Sequence, residues 1–214
     1  MSTTASPTLR QVSGLPADPA RLADATLIMI DYQNTYTTSV MALTGADQAL
    51  AAGARLLERA RAAGSRIVHI VNDGGPDTPY DVRAEIGAIN PLVAPRDGEP
   101  VVVKTFPDAF HETSLQEVLT GLGAGPDLVL AGFMTHMCVA FTAQGAFNRG
   151  YRPTVVADAC ATRPLAAADT AGDGAAHPAA DGAVVSAATL HTAALTQIGD
   201  LFGVVVPTAD ALPA

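Results

Sequence analysis

Three reactive side chains each follow an apolar run of strand length. Asp31 comes directly after TLIMI, Lys104 directly after VVV, and Cys138 a short turn after LVLAG. In a parallel α/β sheet the carboxyl ends of all strands lie at one edge, and ligands bind in the crevice there. A carboxylate, an amine and a thiol at one edge would supply a proton acceptor, a positive charge and a nucleophile, the groups that covalent catalysis needs.

Lys104 is the single lysine among the 12 Lys and Arg residues. An ammonium is a compact charge whose pKa shifts readily, whereas a guanidinium is planar and permanently charged. The pattern therefore indicates a site that requires an amine. Two plainer explanations stay open. One lysine can remain by chance at a strand end, where its stem lies along apolar surface. A structural salt bridge is the other, because a buried Asp31 needs a partner.

Of the two cysteines, Cys138 is the stronger candidate nucleophile. Thr135 is predicted to cap a helix that begins near His136, which places Cys138 in its first turn. There the helix dipole and a nearby lysine favour the thiolate. Cys160 follows the predicted strand 154–157 and shares the sheet edge, so position alone does not exclude it. Its small neighbours indicate a packed turn, where a free cysteine behaves as a small hydrophobe.

The hydrophobic pattern predicts the strands and helices that hold these residues in place. Short β-branched runs alternate with Ala- and Leu-rich stretches whose apolar residues recur at spacings of three and four, which predicts the α/β class with a parallel sheet. The predicted strands span residues 25–30, 66–71, 100–103, 127–131, 154–157 and 204–206. The predicted helices span residues 45–63, 114–122, 136–149 and 181–201.

Length and composition indicate one domain. A chain of 214 residues that is 49% hydrophobic and 15% charged can bury one substantial core. We predict a single domain over residues 23–214 and a loosely ordered extension over residues 1–22. Segments 72–95 and 163–182 are rich in Gly, Pro, Asp and Ala, as lids and binding loops often are. Plain surface linkers are the alternative.

Charge and hydropathy limit the partners. The formal net charge of −9, with no Lys/Arg cluster, argues against a nucleic-acid or an anionic-membrane surface. No apolar run approaches the roughly 20 residues of a membrane helix, and the first 24 residues lack the apolar stretch of a secretory signal. We expect a cytoplasmic protein with reduced cysteines, whose partners are small molecules or further copies of itself.

Three sequence blocks together resemble the isochorismatase-like cysteine hydrolases. They are DYQN from Asp31, Lys104 after the third strand, and GFMTHMCV at 132–139, and their order and spacing match that family. The resemblance runs from about residue 25 to 206 and includes the block VVADACAT. It implies a six-stranded parallel sheet flanked by helices on both faces, a Rossmann-like three-layer sandwich.

The resemblance also implies a catalytic triad of Asp31, Lys104 and Cys138. In this family the Asp accepts the thiol proton and the Lys helps to hold the ion pair. A cis peptide maps to Phe133–Met134, and the backbone N–H groups of Met134 and Cys138 would form the oxyanion hole. The implied reaction is thiolate attack on an amide-type carbonyl, formation of a thioester with loss of the amine, and hydrolysis of the thioester.

The expected substrate is a small amide, lactam or cyclic imide. Family members that hydrolyse the isochorismate vinyl ether lack the nucleophilic cysteine, which argues against isochorismatase activity. Nicotinamidases are the second within-family alternative, and they hold a metal with an Asp and histidines in the loops after the first two strands. This chain has Asn72, Asp73 and Asp77 there, and His69 lies inside a predicted strand. We therefore predict no metal and no cofactor.

Gln33, Phe110 and His136 are candidate substrate-binding residues, and packing or capping is the alternative for each. The blocks DGG, PYD and PDAF, which follow the second and third strands, are similar to the branch that includes streptothricin hydrolase. Members of that branch need not share a substrate.

A non-catalytic or redox-sensing binding module that uses a reactive Cys138 is the alternative from a different class. Cys160 would be the resolving thiol if the two lie within disulfide range. Lys104 together with Asp31 favours the hydrolase, because a sensor needs a thiolate whereas a hydrolase also needs a proton shuttle. Relatives that assemble as dimers to octamers make a homo-oligomer, a dimer or tetramer, the expected assembly.

Overall fold

The computed structural model describes residues 5–168 and 182–214. Six of the strands in these residues form one parallel sheet, as predicted, and the remaining two, β6 and β7, form a small hairpin. In chain order the strands are β1 (Thr26–Ile30), β2 (Arg66–Asn72), β3 (Val101–Lys104), β4 (Asp127–Phe133), β5 (Arg152–Ala161), β6 (Leu165–Ala166), β7 (Val184–Val185) and β8 (Val204–Val206). The order across the large sheet is β3-β2-β1-β4-β5-β8.

The α-helices of the described residues are α1 (Leu9–Val12), α2 (Thr35–Thr38), α3 (Ala46–Ala63), α4 (Leu115–Gly121), α5 (Ala140–Asn148) and α6 (Ala187–Gln197). Four helices, α3 to α6, lie between strands near the predicted positions, and two short ones, α1 and α2, were not predicted. Short 3₁₀ turns lie at Glu85–Gly87, Pro91–Val93 and Ala209–Ala211, and π-helical turns lie at Thr135–Val139 and Ile198–Phe202. The helix predicted over 181–201 begins later, because the Ser186 side chain caps it by accepting a hydrogen bond from Thr189 N.

Alternate side chains of β1 enter two separate cores. Leu27 and Met29 pack with α3 on one face of the sheet, and Ile28 and Ile30 pack with α4 and α5 on the other. Every residue of β1 is buried, as expected for a central parallel strand covered on both faces. The molecule is therefore the three-layer sandwich that the sequence predicts.

The strand order reverses beside β1. The chain leaves β1 for β2 and β3 on one side, then crosses back to β4 on the other. The crevice outside the carboxyl ends of strands at such a reversal is the usual ligand site of an open α/β sheet. Asp31 and the turn after β4 both lie at this reversal.

Part of the N-terminal segment that we expect to be loosely ordered contacts the domain. Leu9 N donates to Asp200 Oδ1 at 2.9 Å, and Ala20 N donates to Thr154 Oγ1 at 3.0 Å. These contacts hold the segment against the amino ends of the strands.

No helix in the described ranges is long and apolar enough to cross a bilayer.

The two irregular segments contain some ordered structure. Segment 72–95 includes two of the 3₁₀ turns, and segment 163–182 is bounded by β6 and β7, which pair antiparallel. That pairing brings the two ends of the second segment together. Its central residues, 169–181, lie outside the described residues, so the lid prediction for this part is not addressed.

Candidate active site

The three strand-end side chains meet at the reversal of strand order. Lys104 Nζ lies 2.7 Å from Asp31 Oδ2, and both side chains are fully buried. The same amine donates to Cys138 Sγ at 3.3 Å. Lys104 therefore touches both a carboxylate and a thiol, and all three residues are buried.

The backbone at the end of β1 sets the place of Asp31. Its φ of 51° lies in the left-handed region, which aspartate adopts more readily than most residues other than glycine. Its N–H donates to Ile70 O at 3.0 Å, which extends the pairing of β1 with β2 by one residue. The chain thus turns immediately after the strand with the carboxylate next to Lys104.

Asn72, which Gln33 holds in place, provides a further contact to Lys104. The Lys104 Nζ donates to Asn72 Oδ1 at 3.2 Å, at the end of β2. Gln33 is completely buried and clamps the Asn72 backbone: Asn72 N donates to Gln33 Oε1 at 2.9 Å, and Gln33 Nε2 donates to Asn72 O at 3.0 Å. Gln33 also donates to Gly87 O at 2.7 Å. The structure thus places Gln33 as a support for Asn72 rather than as a pocket wall.

Burial dominates the electrostatics of Cys138. Loss of solvent and the adjacent Asp31 carboxylate raise the pKa of its thiol to about 12, although Lys104 favours the thiolate. With Asp31 ionised and Lys104 protonated, the cluster is neutral, and loss of the thiol proton to bulk water would leave a buried net negative charge. Burial and Asp31 thus oppose the effect of Lys104, which favours the thiolate as the sequence predicts.

Asp31 is suited to receive the thiol proton. Burial raises the pKa of its carboxyl, and Lys104 and the Cys138 thiol oppose that rise. Burial disfavours a charged Lys104, but Asp31 and Cys138 outweigh it and raise the pKa of the amine. Moving the proton from Cys138 to Asp31 leaves a thiolate beside a cationic lysine and keeps the cluster neutral. The site can therefore make a thiolate without releasing a proton to solvent.

The nucleophile turn differs from the predicted cap. Cys138 lies in the π-helical turn Thr135–Val139, in which Val139 N donates to Met134 O at 3.2 Å. Short π segments occur often at functional sites. Thr135 makes no cap hydrogen bond to the backbone, because its Oγ1 pairs with His191 Nδ1 on α6 at 2.9 Å.

The approach to this turn requires a glycine. Gly132 has a φ of 142°, and a Cβ at this position would lie 1.9 Å from Ile30 O. Any side chain would therefore force β4 away from β1. One residue further on, the peptide bond between Phe133 and Met134 is cis. The predicted oxyanion donors, the N–H groups of Met134 and Cys138, flank the nucleophile turn, and their role stays a prediction.

The other two candidate pocket residues differ in position. His136 is half-buried beside the nucleophile turn, with its Nδ1 paired to Thr162 Oγ1. Phe110 is buried in the α4/α5 core, where its ring stacks on Tyr151 at 5.8 Å between centroids and Arg149 lies over it. The substrate-binding prediction for Phe110 is therefore not supported, since its ring is used in packing.

Sequence reasoning missed several residues near the thiol. Tyr36, on α2, is buried, and the charges of Asp31 and Cys138 act on its hydroxyl and on that of Tyr80. Arg163 follows β5, and burial together with the Arg163 charge lowers the pKa of His136. Tyr36 and Arg163 lie on a short helix and in a loop without periodicity, so no pattern in the sequence marks them. Tyr80 lies in the block PYD, to which the sequence assigns no role.

Cys160 is a free, buried thiol. Its Sγ donates to Val156 O at 3.3 Å, and burial raises its pKa to about 12. No carboxylate–lysine pair is recorded beside it within the described part of the chain. This agrees with the packed position that the sequence predicts for it.

Within residues 5–168 and 182–214, no group of three or more His, Cys, Asp and Glu side chains is arranged to hold a metal ion. His69, the histidine nearest to the loop after β2, is buried and pairs with Glu99 Oε2 at 3.1 Å. The residues described here therefore offer no obvious set of metal ligands.

Comparison with known proteins gives a consistent result. The family profile described as "Isochorismatase domain" matches residues 25–189. A solved isochorismatase structure from Pseudomonas putida KT2440 superimposes with a TM-score of 0.86 at 36% identity, covering 97% of this chain and 100% of that one. The chain belongs to the isochorismatase family, and this membership makes it a hydrolase.

Three curated relatives show which named proteins of the family this chain resembles. Streptothricin hydrolase of Streptomyces noursei is 36% identical over 190 residues, 87% of this chain and 69% of the relative. A secreted isochorismatase effector of Verticillium dahliae is 31% identical over 202 residues, 94% of this chain and 97% of the relative. Maleamate amidohydrolase of Pseudomonas putida is 34% identical over 154 residues, 64% and 72% of the two chains. The predicted similarity to streptothricin hydrolase is confirmed, and the cytoplasmic location stays a prediction.

Proposed function

We propose that this protein is a cysteine hydrolase that cleaves an amide-type C–N bond of a small molecule through a thioester. The observation that carries the proposal is the buried Asp31–Lys104 pair, whose amine also contacts Cys138 Sγ. Two relatives, streptothricin hydrolase and maleamate amidohydrolase, are named as hydrolases, the latter of an amide.

The first half of the reaction forms the thioester. Asp31 accepts the Cys138 proton, and the thiolate attacks the amide carbonyl carbon while the C=O electrons move to oxygen. The N–H groups of Met134 and Cys138 would stabilise that oxyanion, each donor typically contributing about 2.7–4 kcal/mol. Collapse of the intermediate breaks the C–N bond, and protonated Asp31 gives its proton to the leaving nitrogen.

The second half restores the enzyme. Asp31, again ionised, accepts a proton from water, and the hydroxide oxygen attacks the thioester carbonyl. The C–S bond breaks, the acid leaves, and the proton on Asp31 returns to the Cys138 sulfur. The net reaction is amide plus water to acid plus amine, and Lys104 holds its charge throughout.

The position of Arg163 favours a substrate that carries an acidic group near the scissile amide. Its Nε is buried and has no hydrogen-bond partner among the described residues. Its charge acts on His136 and on the Tyr80 hydroxyl, so the guanidinium lies beside the site. Because a substrate carboxylate would satisfy this donor with a charge-assisted hydrogen bond, we infer that such amides are preferred.

The thiols themselves weigh against a redox sensor. A sensor uses an accessible thiol of low pKa. Burial raises the pKa of both Cys138 and Cys160 to about 12. A thiol of raised pKa that has an internal proton acceptor, as Cys138 has in Asp31, suits a hydrolase better.

The test is a panel of small amides, lactams and cyclic imides, each offered with and without a carboxylate, with ammonia or amine release as the readout. Nicotinamide and isochorismate are included as the within-family alternatives. We compare the wild type with Cys138→Ser and with Cys160→Ala, the matched control thiol. Acid quenching during turnover, followed by mass spectrometry, detects an acyl group on the peptide that contains Cys138.

We expect turnover in the wild type, a loss of at least about 10³-fold in Cys138→Ser, as for other replaced nucleophiles, and most activity retained in Cys160→Ala. Arg163→Gln should weaken hydrolysis of the carboxylate-bearing amides more than that of neutral ones. Full activity in Cys138→Ser, or turnover of isochorismate alone, would overturn the proposal.

A further inference from the structure

The loop after β2 carries the blocks DGG and PYD, to which the proposed reaction assigns no role. In the structure an ion-pair clamp closes this loop. Arg83 Nε donates to Asp81 Oδ1 at 2.6 Å, and its terminal nitrogens lie 3.2 and 3.3 Å from the two carboxylate oxygens of Asp73. Gly74 N donates to Tyr80 O at 3.1 Å. The clamp therefore fixes the backbone on both sides of Tyr80.

Tyr80 is joined to the nucleophile turn by a row of aromatic contacts. Its ring packs edge to face on Tyr36 at 5.7 Å between centroids, and Tyr36 packs in the same way on Phe133 at 5.6 Å. This is a preferred geometry for aromatic pairs. Phe133 is the residue before Met134, at the start of the nucleophile turn. The row therefore extends from the clamped loop to the turn that carries Cys138.

The Tyr80 hydroxyl lies in the electrostatic surroundings of the site. Tyr36 is buried, and its side chain and the charges of Asp31 and Cys138 all act on the Tyr80 hydroxyl. Burial raises the pKa of Tyr80 and the charges of Cys138 and Asp31 add to the rise, although Tyr36 and Arg163 oppose it, so the Tyr80 hydroxyl keeps its proton. No described residue is recorded as accepting that proton. Tyr80 is half-buried, so part of the residue is exposed to solvent.

We propose that Tyr80 is a substrate-binding residue, whose hydroxyl donates a hydrogen bond to a polar acceptor of the amide that lies against Cys138. This inference rests on the proposed function. The edge-to-face contact with Tyr36 holds the Tyr80 ring, and the Asp73–Arg83–Asp81 clamp holds the loop in place. The PYD block then marks a specificity residue, and the amide must carry an oxygen or nitrogen acceptor beyond the scissile carbonyl.

The experiment compares Tyr80→Phe with Tyr151→Phe, using the best amide from the panel. Tyr151 is a half-buried tyrosine that stacks on Phe110 and accepts a hydrogen bond from Gln116, away from the site. Loss of one hydrogen bond to bound substrate should raise KM about tenfold in Tyr80→Phe, with kcat within about threefold of the wild type. Tyr151→Phe should leave both constants unchanged.

A second readout separates binding from a structural role. Methyl methanethiosulfonate modifies thiols and carries no amide, so its rate with Cys138 reports on the intact site. We expect Tyr80→Phe to keep this rate within about twofold, together with an unchanged Tm. An unchanged KM, or an equal loss in thiol modification and turnover, would overturn the role of Tyr80. A wild type that hydrolyses no amide at all would instead be a failure of the proposed function.

Discussion

Lys104 Nζ lies 2.7 Å from Asp31 Oδ2, and neither side chain is exposed to solvent. A buried ion pair is costly to form, and removal of one partner typically destabilises a protein by about 3–5 kcal/mol because a charge is left unpaired. Stability alone therefore gives little reason to keep this pair in the core. The contact of the same amine with Cys138 Sγ supplies a chemical reason.

We predict that Lys104→Arg loses at least about 10²-fold in turnover, nearly as much as Lys104→Ala. The amine reaches Asp31, Asn72 and Cys138 in one packed space, and a planar guanidinium does not fit the same three contacts. The 10²-fold figure is the lower end of what positioned proton transfer contributes. Steady-state rates on the best amide give the measurement.

The rate of alkylation of the Cys138 thiol is a second measurement on the Lys104 variants. Lys104→Ala should slow alkylation of Cys138 at each pH, because a cation that favours the thiolate is gone while the thiol pKa is already raised to about 12. Circular dichroism checks that the variants fold. A folded Lys104→Arg with near-full turnover would reduce the lysine to an ordinary ion-pair partner.

Asn72→Ala should lower kcat about tenfold, because Lys104 Nζ loses one of its three contacts and can shift from Cys138. Asn34→Ala is the control, since the Asn34 side-chain amide donates to Glu85 O in a neighbouring loop and has no recorded contact with the lysine. Stopped assays on both variants make the comparison. Equal losses in the two would mean that loop order, rather than Lys104, is being measured.

We predict that hydrolysis does not depend on a metal. The loop after β2 presents Asn72, Asp73 and Asp77, and the described residues form no group of three or more metal-binding side chains. Dialysis against a strong chelator followed by the amide assay measures this. Activity that is lost on chelation and restored by zinc or iron would contradict the reading of this loop.

Acid stability should depend on Glu99. Burial favours its neutral form, but hydrogen bonds from Arg61, from the Arg96 backbone and from His69 outweigh it and lower its pKa to about 2. A pKa lowered by folding stabilises the protein above the unfolded value of about 4.3, and this contribution is lost as the pH falls towards 2. Glu99→Gln should therefore be less stable than the wild type at pH 6.

The difference between wild type and Glu99→Gln should shrink as the pH falls from about 4.3 to 2. Urea unfolding at several pH values in this window gives the measurement. Glu117→Gln, at an exposed position on α4, is the control and should show no such convergence. A constant difference across the window would mean that Glu99 acts through its shape rather than its charge.

Much of the fold followed from local patterns. Buried parallel strands have nearly continuous apolar runs, so strands such as β1 can be recognised in the sequence. Because the carboxyl ends of parallel strands share one edge of the sheet, the positions of Asp31, Lys104 and Cys138 after their strands predict that the three residues meet there. The helix over α6 was predicted too long at its start, because a capping serine has its effect through a single hydrogen bond that periodicity does not record.

Local patterns in the amino-acid sequence are enough to predict the sheet, the edge that carries the chemistry and the three residue types that meet there. The electrostatic surroundings of those groups follow from the tertiary packing. The protonation of Cys138 depends on how completely its surroundings exclude water, and Thr135 pairs with His191 because a helix distant in sequence packs against the nucleophile turn. Burial and contacts between distant segments are properties of the packed molecule. The blocks DYQN and PYD therefore contain Gln33 and Tyr80 without showing that Gln33 supports Asn72 or that the charges of Asp31 and Cys138 act on Tyr80.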